Sequence, residues 1–358
     1  MKVSEKLFKI LEESDVKKIG TETHVDEFSK KLKLIEHVKL LVAYVLLQFE
    51  SLGDLCEHAD KYDELIKISK SQMSKINSTR DYTAFAHVFY NLLCHRSCFR
   101  KYWQIRRFVG KKILGIDSTT IAVGKPLEVP NGQEPLGEKE SKGIKIHLAA
   151  LMGALVQPIS AIVTPSNFHD DVKFDDLLED VSLFEHLKDL ILVFDKGYTN
   201  YDRYRKFVDN GILFVARLKK NAKYTILSSV DYKYCTEEKI LLDGMELRLI
   251  KYKDADGTDW IFITNIPAKT LSSDDIRDIY KMRWMIEIFF RELKLSAKIE
   301  HLYSKNVNGV MIQIYATLIA FTLVNMLLIE YDFWKSVSKG AEMIRHIFNR
   351  PVEIFLDG

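Results

Sequence analysis

The sequence predicts an α/β protein in which a mixed sheet flanked by helices follows an all-helical N-terminal region. Helix-length apolar runs dominate residues 1–105, for example over residues 34–49. Beyond Lys111, short β-rich runs alternate with helical segments, as expected for a sheet covered by helices. Over residues 224–264 the helical period disappears and turn signals separate alternating runs. We therefore expect an all-β insertion before the last helices.

The composition is that of a globular protein of two or three domains. Of its 358 residues, 47% are hydrophobic, which is enough for a sizeable core and argues against wholesale disorder. Four cysteines make no disulfide framework, which favours a cytoplasmic protein. The charged residues 1–18 predict no secretory signal. The net charge of +2 argues against a nucleic-acid partner only if the charges are evenly spread.

The charges are unevenly spread. Residues 94–112 contain seven Lys and Arg and no acid, whereas residues 169–189 contain eight acids and two lysines. A second basic cluster enters the insertion and consists of Arg217, Lys219, Lys220 and Lys223. Either cluster alone can be an ordinary solvated surface. Together they favour a localised phosphate track whose binding of nucleic acid weakens with salt.

Residues 1–108 form the predicted N-terminal helical domain, to which we assign DNA binding. Ser51 begins a turn and helix-cap signal. Residues 68–76 have the polar, serine-rich character of a helix that enters a DNA groove, and an ordinary exposed helix is the alternative.

The predicted α/β core occupies residues 109–223 and 266–335, on either side of the insertion at 224–265, and a tail follows at 336–358. Its expected strands cover residues 113–117, 119–123, 144–152, 159–164, 190–194 and 212–216. Its expected helices cover residues 170–186, 201–208 and 273–297. Residues 306–329 carry no charge and could cross a membrane on length alone. Their polar side chains favour a helix buried in the core, so we expect no membrane partner.

Two acids follow apolar strands at the expected edge of the sheet. Asp117 ends a β-rich run, and Asp195 ends the apolar run at 190–194. A carboxylate just past a buried strand is held rigidly at the edge where ligands bind in α/β proteins. One such acid alone is usually a cap or turn residue. Two at equivalent places indicate a shared site, which a third acid would complete.

The helix predicted from Ser273 supplies the third acid. At about 100° per residue, one strip of its surface about 60° wide contains Tyr280, Arg283, Glu287 and Lys294. The residues on the same side further along are Arg291 and Lys298. An exposed face with i,i+4 ion pairs is the alternative, and the two strand-end acids favour a site instead.

Three carboxylates so placed suit two Mg²⁺ ions, with Mn²⁺ as a substitute. Two such ions, about 3.5–4 Å apart, stabilise the attacking and leaving oxygens of an in-line phosphoryl displacement. The basic strip can hold the phosphates beside the scissile bond.

At these residues the chain resembles the DDE transposases of the insertion-sequence-four type. The Y-x2-R-x3-E-x6-K signature of that group is matched without a gap by Tyr280, Arg283, Glu287 and Lys294. Residues 195–198 match its D-[KR]-G-Y element, and residues 117–119 match the element around its first acid. The resemblance covers roughly residues 110–330.

The resemblance implies an RNase H-like fold with a β-strand insertion between the second and third acids. It implies that the metal ligands are Asp117, Asp195 and Glu287. It implies that the phosphates beside the cleavage point are contacted by Tyr280, Arg283 and Lys294. Members cut transposon ends, liberate a 3′-OH, often through a DNA hairpin, and join it to target DNA. Synapsis of two ends would require a homodimer.

Weaker signals surround this signature. Trp260 resembles the tryptophan with which some members hold a base flipped out of the hairpin, and packing onto the core is its alternative role. Residues 169–171, His-Asp-Asp, could assist the metal site, but helix N-capping is the favoured role. The Cys-His-x2-Cys run at 94–98 lacks a second ligand pair, so we expect no structural zinc.

The residues, together with this resemblance, predict a cytoplasmic, metal-dependent DNA transposase that associates with the nucleoid when bound to DNA. An RNase H-like nuclease without strand transfer is one alternative. A DNA-binding protein with an inactive catalytic core is another. A glycosidase with paired carboxylates is more distant, because it leaves the basic strip unexplained.

Overall fold

The computed structural model describes residues 1–94, 108–122, 143–253, 257–296, 304, 306–333 and 337–355. Within the first of these ranges lie six helices: α1 (Val3–Glu13), α2 (Val16–Glu22), α3 (Leu34–Leu47), α4 (Leu52–His58), α5 (Lys70–Thr79) and α6 (Thr83–Cys94). Ser51 caps α4 by accepting a hydrogen bond from the backbone of Asp54 at 3.1 Å, as its sequence signal predicts.

The described strands form one mixed sheet. The strands of the core are β1 (Lys112–Ala122), β2 (Gly143–Met152), β3 (Val156–Pro165), β4 (Leu190–Phe194) and β5 (Leu213–Arg217). Their order is β3-β2-β1-β4-β5, with the first three antiparallel and the last two parallel to β1. This is the RNase H-like arrangement, and the predicted fold class is confirmed. The core helices along it are α7 (Phe174–Ser182) and α8 (Tyr201–Asn210).

One predicted hairpin is wrong. Residues 113–117 and 119–123 were expected to be separate strands, but residues 112–122 form the single strand β1. The reason lies in β2, which pairs with β1 without interruption from Ile113 to Ala122. The predicted helix over residues 170–186 is also shorter, since a 3₁₀ turn precedes α7.

The insertion continues the same sheet rather than forming a separate layer. Its strands are β6 (Thr225–Asp231), β7 (Cys235–Leu242), β8 (Met245–Lys253) and β9 (Asp259–Thr264). β9 pairs antiparallel with β5, and the order then runs β9-β8-β7-β6 to the free edge. The insertion is therefore anchored next to the strand that follows the second acid.

The helix predicted over residues 273–297 is broken. α9 (Ser273–Met282) ends at Arg283, and α10 (Trp284–Ser296) follows it. At the break the backbone N–H of Ile286 donates to the carbonyl of Arg283 at 3.0 Å, a tighter i→i−3 turn. The side chains of the signature are therefore distributed over two helices, not over one straight face.

A long apolar helix fills the centre of the molecule. α11 (Val307–Glu330) contacts α3, α5 and α6 on one side and β3 on the other, and α12 (Val337–Ile347) packs beside it. Among the described residues it is the helix that is apolar and long enough to cross a membrane, yet that stretch is entirely buried within the protein. Its Asn325 donates to the carbonyl of Val156 at 2.9 Å and to Gln157 at 3.0 Å. These partners fit the predicted core helix.

Candidate active site

The first two acids lie side by side because their strands are parallel neighbours, although Asp117 lies within β1 and not at the strand end that the sequence predicts. Ile116 of β1 is in register with Phe194 of β4, and each is followed directly by its acid, Asp117 or Asp195. The backbone N–H of Ser118 donates to Oδ1 of Asp117 at 2.9 Å, which orients that carboxylate. Both acids therefore emerge at the same edge of the sheet.

A glycine in β1 allows the third acid to reach this edge. A Cβ atom on Gly115 would lie 2.4 Å from Cδ1 of Ile286 and 2.7 Å from Sδ of Met152. Glycine at this position therefore lets α10 approach β1 closely. Glu287, the next residue on α10, is thereby placed opposite Asp117.

Arg283 joins the first and third acids. Its Nη1 lies 2.6 Å from Oδ2 of Asp117, and its Nη2 lies 2.5 Å from Oε1 of Glu287. The Arg283 side chain is only 12% exposed. Burial opposes its charge, but Tyr280 and the two carboxylates raise the pKa of Arg283 above its ordinary value. The guanidinium therefore remains charged between the two acids.

The donor chemistry fits a divalent cation, although the acids do not enclose one in this arrangement. Burial raises the pKa of Asp117 to about 6, against the opposing charge of Arg283. All three acids offer the oxygen ligands that Mg²⁺ prefers. Within the described ranges, no three carboxylate, imidazole or thiol side chains are grouped to hold a metal ion. Asp117 and Glu287 are instead both engaged by Arg283.

The second acid has different partners. The hydroxyl of Tyr280 donates to Oδ1 of Asp195 at 3.0 Å, and Nη1 of Arg217 lies 3.9 Å from the same oxygen. Tyr280 is buried, and burial raises its pKa, so the phenol remains a donor at neutral pH. The signature tyrosine therefore fixes the orientation of Asp195.

A cleft of about 340 Å³ opens in front of Asp117 and Glu287. Arg291 and Lys294 line it, so two cations of α10 face the acids across open space. Nζ of Lys294 also donates to the carbonyl of Thr120 at 3.0 Å. Lys298, predicted on the same side, lies outside the described residues.

A second, larger cavity of about 530 Å³ adjoins the site and is walled mainly by aromatic rings and cations. Trp260 of β9 lines it, half-buried, with the guanidinium of Arg217 stacked 4.5 Å from its ring centroid. Tyr280 and Arg283 line the same cavity, so it shares walls with the acidic site. Trp284 is 60% exposed at its mouth, a position that sequence reasoning missed although the residue directly follows Arg283.

The N-capping role expected within residues 169–171 is wrong. Residue 169 makes no side-chain cap. Asp170 instead accepts hydrogen bonds from Oγ of Ser118 at 2.6 Å and from Nζ of Lys145 at 2.8 Å. Ser118 directly follows Asp117 in β1, so Asp170 supports the part of the strand that presents the first acid. Sequence spacing could not show this contact, because β2 and β3 lie between the two positions along the chain.

The predicted basic clusters are only partly visible. Lys219 and Lys223 line an open cleft of about 570 Å³ beside the start of α8, and Lys220 is exposed. In the cluster at 94–112, Lys112 pairs with Glu185 at 2.7 Å. Its five arginines and lysines at 96–107 lie outside the described residues, as does Cys98.

Comparisons with known proteins give the chain a family and relatives. The family model described as the transposase DDE domain matches residues 109–323. A relative in Geobacillus stearothermophilus, named as a transposase for insertion sequence element IS5377, is 27% identical over 64% of this chain and 60% of its own length. A relative in Synechocystis, named as a transposase for insertion sequence element IS4SA, is 24% identical over 87% of this chain and 88% of its own length.

One solved structure shows a more distant likeness. It is the piggyBac transposase synaptic complex with hairpin DNA, which covers 98% of this chain and 77% of its own chain. The TM-score is 0.48 and the sequence identity is 12%.

Proposed function

The chain belongs to the transposase DDE domain family, and from that premise we propose a cut-and-paste reaction. The protein cleaves transposon ends and joins the freed 3′-OH to target DNA by two-metal phosphoryl transfer. The observation that most directly supports this proposal is that Asp117, Asp195 and Glu287 lie together at one edge of the sheet, beside a cleft lined by cations. Its partners are transposon-end DNA and target DNA in the cytoplasm, within a homodimeric synaptic complex.

In this proposal the three acids hold two Mg²⁺ ions, or Mn²⁺ in their place. When bound, such ions activate a water and stabilise the charge on the leaving 3′ oxygen. Asp117 and Asp195 are fixed by their parallel strands, and Glu287 is fixed by the contact of α10 with β1. The acids are therefore presented by rigid elements, as precise positioning requires.

The cations beside the acids bind the phosphates. Lys294 and Arg291 face the cleft in front of the acids and can neutralise the phosphates that flank the scissile bond. Lys219 and Lys220 extend this positive surface at the start of the insertion, near Arg217. Tyr280 orients Asp195 and at the same time borders the neighbouring cavity.

The aromatic cavity is the place for an extruded base. Trp260 presents its ring to a space of about 530 Å³, and Trp284 and Tyr234 are exposed at its rim. A nucleobase stacks on such rings irrespective of its identity, and nearby cations can hold its phosphates. A hairpin intermediate needs a base removed from the stack close to the reacting phosphate. The cavity shares Tyr280 and Arg283 with the acidic site, which meets that requirement.

The test is cleavage of DNA that contains the two inverted repeats flanking the gene. In Mg²⁺, we expect end cleavage and joined products from the wild type, and no joined products from a simple nuclease. Asp117→Asn, Asp195→Asn and Glu287→Gln should each reduce cleavage about a thousandfold, because metal stabilisation contributes several kcal/mol. DNA binding in gel-shift experiments should be retained.

The matched control is Glu246→Gln, which removes the same charge from an acid paired with Lys239 on the surface. This variant should cleave like the wild type. Cleavage at wild-type rates by any of the three acid variants would remove that acid from the site.

A further inference from the structure

The guanidinium of Arg283 lies where a divalent cation would meet two of its ligands. We propose that Arg283 excludes divalent cations from Asp117 and Glu287 until a DNA phosphate draws the guanidinium away, so that metal binding requires bound DNA. The inference deepens the proposed function and rests on its assignment of these acids as metal ligands.

The ion pairs of Arg283 with the two acids exclude a metal ion from the same oxygens. Oδ2 of Asp117 and Oε1 of Glu287 already accept charged hydrogen bonds at 2.6 and 2.5 Å. The other oxygen of Asp117 accepts the backbone N–H of Ser118 at 2.9 Å. A Mg²⁺ ion about 2.1 Å from these oxygens would stand within about 4 Å of a guanidinium, two like charges in a poorly solvated place.

The cavity beside the site can receive the guanidinium. Arg283 also lines the cavity of about 530 Å³ that contains Trp260, and its guanidinium lies 5.5 Å from the ring centroid of Tyr280. Its Nε is buried and has no acceptor among the described residues. A change of rotamer towards the cavity would turn the charged group away from both carboxylates and give Nε access to a new acceptor.

The group that binds the displaced guanidinium must be an anion. Besides Arg283, the cavity is lined by the cations Lys253, Arg277 and Lys281. Arg277 is paired with two acids of α9, so Lys253 and Lys281 oppose entry of the guanidinium while the cavity is empty of anions, and its present pairing is favoured. A DNA phosphate entering the cavity reverses this balance, because guanidinium and phosphate form strong paired hydrogen bonds.

The binding of DNA and the binding of a divalent cation are therefore reciprocally coupled. A ligand that binds better when Arg283 is withdrawn must strengthen the binding of any other ligand that needs the same withdrawal. DNA therefore strengthens divalent-cation binding, and the cation strengthens DNA binding. In the absence of DNA the cation-free, non-cleaving state is favoured.

The experiment measures the dissociation constant of Mn²⁺ for the full chain from the EPR signal of free Mn²⁺, without DNA. Arg283→Gln should bind Mn²⁺ about 5- to 150-fold more tightly than the wild type, the usual range of coupling between sites. Adding Glu287→Gln to this variant should abolish the gain. Arg205→Gln, which breaks an arginine–aspartate pair on α8, should leave the affinity unchanged.

The second arm adds a short DNA duplex to the same measurement. Mn²⁺ should bind the wild type more tightly with the duplex present, whereas Arg283→Gln should show little further gain. Arg283→Met gives the same comparison if circular dichroism shows that Arg283→Gln does not fold.

Several results would overturn the inference. They are equal Mn²⁺ affinities of the wild type and the uncharged variants without DNA, a gain that survives Glu287→Gln, or a wild-type affinity that the duplex leaves unchanged. If the wild type still cleaves transposon-end DNA in Mg²⁺, only the exclusion by Arg283 fails and the proposed function stands. If no variant binds Mn²⁺ with or without DNA and nothing is cleaved, both fail.

Discussion

At the scale of the single residue, Tyr280 and Arg283 each belong both to the acidic site and to the aromatic cavity. Tyr280 donates to Asp195, and Arg283 binds Asp117, while both border the aromatic cavity. A change at the cavity is therefore transmitted directly to a carboxylate. This double placement explains why a tyrosine and an arginine, rather than two lysines, suit these positions: the phenol and the forked guanidinium both have fixed geometry.

Trp260 provides a residue-scale prediction. Trp260→Ala removes the ring that stacks under Arg217, and we expect hairpin formation to slow about 5- to 150-fold while first-strand nicking changes little. The reason is that stacking of one base is worth about 1–3 kcal/mol. Rates of both steps on end-labelled DNA give the measurement.

The control for this prediction is Tyr224→Ala, which removes another insertion aromatic beside a cation, Lys251, but outside the cavity. Equal slowing of nicking and hairpin formation by Trp260→Ala would indicate that the ring packs the insertion onto the core instead.

The contact between β1 and α10 sets the site at the scale of the elements. The catalytic geometry depends on how closely the helix approaches the strand, and Gly115 permits that approach beside Ile286. The signature side chains lie on either side of the helix break at Arg283, which separates α9 from α10. The absence of a side chain at residue 115 is therefore a structural requirement of this contact.

Gly115→Ala should push α10 away from β1. The added methyl would meet Ile286 and Met152, and overpacking of this kind costs about 1–3 kcal/mol of the free energy of unfolding. We also expect slower cleavage, because Glu287 moves with the helix. Urea unfolding and cleavage rates measure the two effects.

Ile286→Val removes the Cδ1 atom that the methyl would strike. In the double variant both stability and cleavage should recover towards the values of Ile286→Val alone. Additive losses in this double-mutant cycle would show that the methyl does not act through Ile286.

At the scale of the whole molecule, the N-terminal helices, the core and the insertion are connected by one sheet and by the packing of α11. The nine strands of the described residues form one sheet, and α11 packs against both the N-terminal helices and β3. The charge balance is partly local as well, since Lys112 pairs with Glu185 of the acidic segment. The net charge of +2 is therefore compatible with a positive surface confined to the site.

His147 makes the stability of the whole molecule depend on pH. It is fully buried between β1 and β3, and burial, with Lys145 adding to it, lowers its pKa to about 4. The folded state therefore binds fewer protons than the unfolded state between pH 6.5 and about 4. From pH 7 to about 4.5, we expect this histidine to remove about 2–3 kcal/mol from the free energy of unfolding.

Urea unfolding of the wild type and of His147→Gln at both pH values measures this contribution. The variant should lose less stability on acidification than the wild type. His37 is buried with a depressed pKa and is present in both proteins, so its contribution cancels. Parallel pH profiles would show that His147 does not account for the acid sensitivity.

The sequence by itself determined the fold class and singled out the acids. Strand-end carboxylates such as Asp117 and Asp195 follow apolar runs, and the signature around Glu287 has fixed local spacing, so both are readable along the chain. The buried character of residues 306–329 was also readable, from polar side chains that only a core could pair.

Only the tertiary structure decided how these parts meet. Residues 119–123 were expected to be a separate strand, but long-range pairing with β2 extends β1 through 122. The helix break at Arg283, the buttress from Asp170 to Ser118 and the bridge from Arg283 to Asp117 all depend on contacts between distant segments. Local periodicity reports which face a residue occupies, whereas close packing across the core decides which charges share that face.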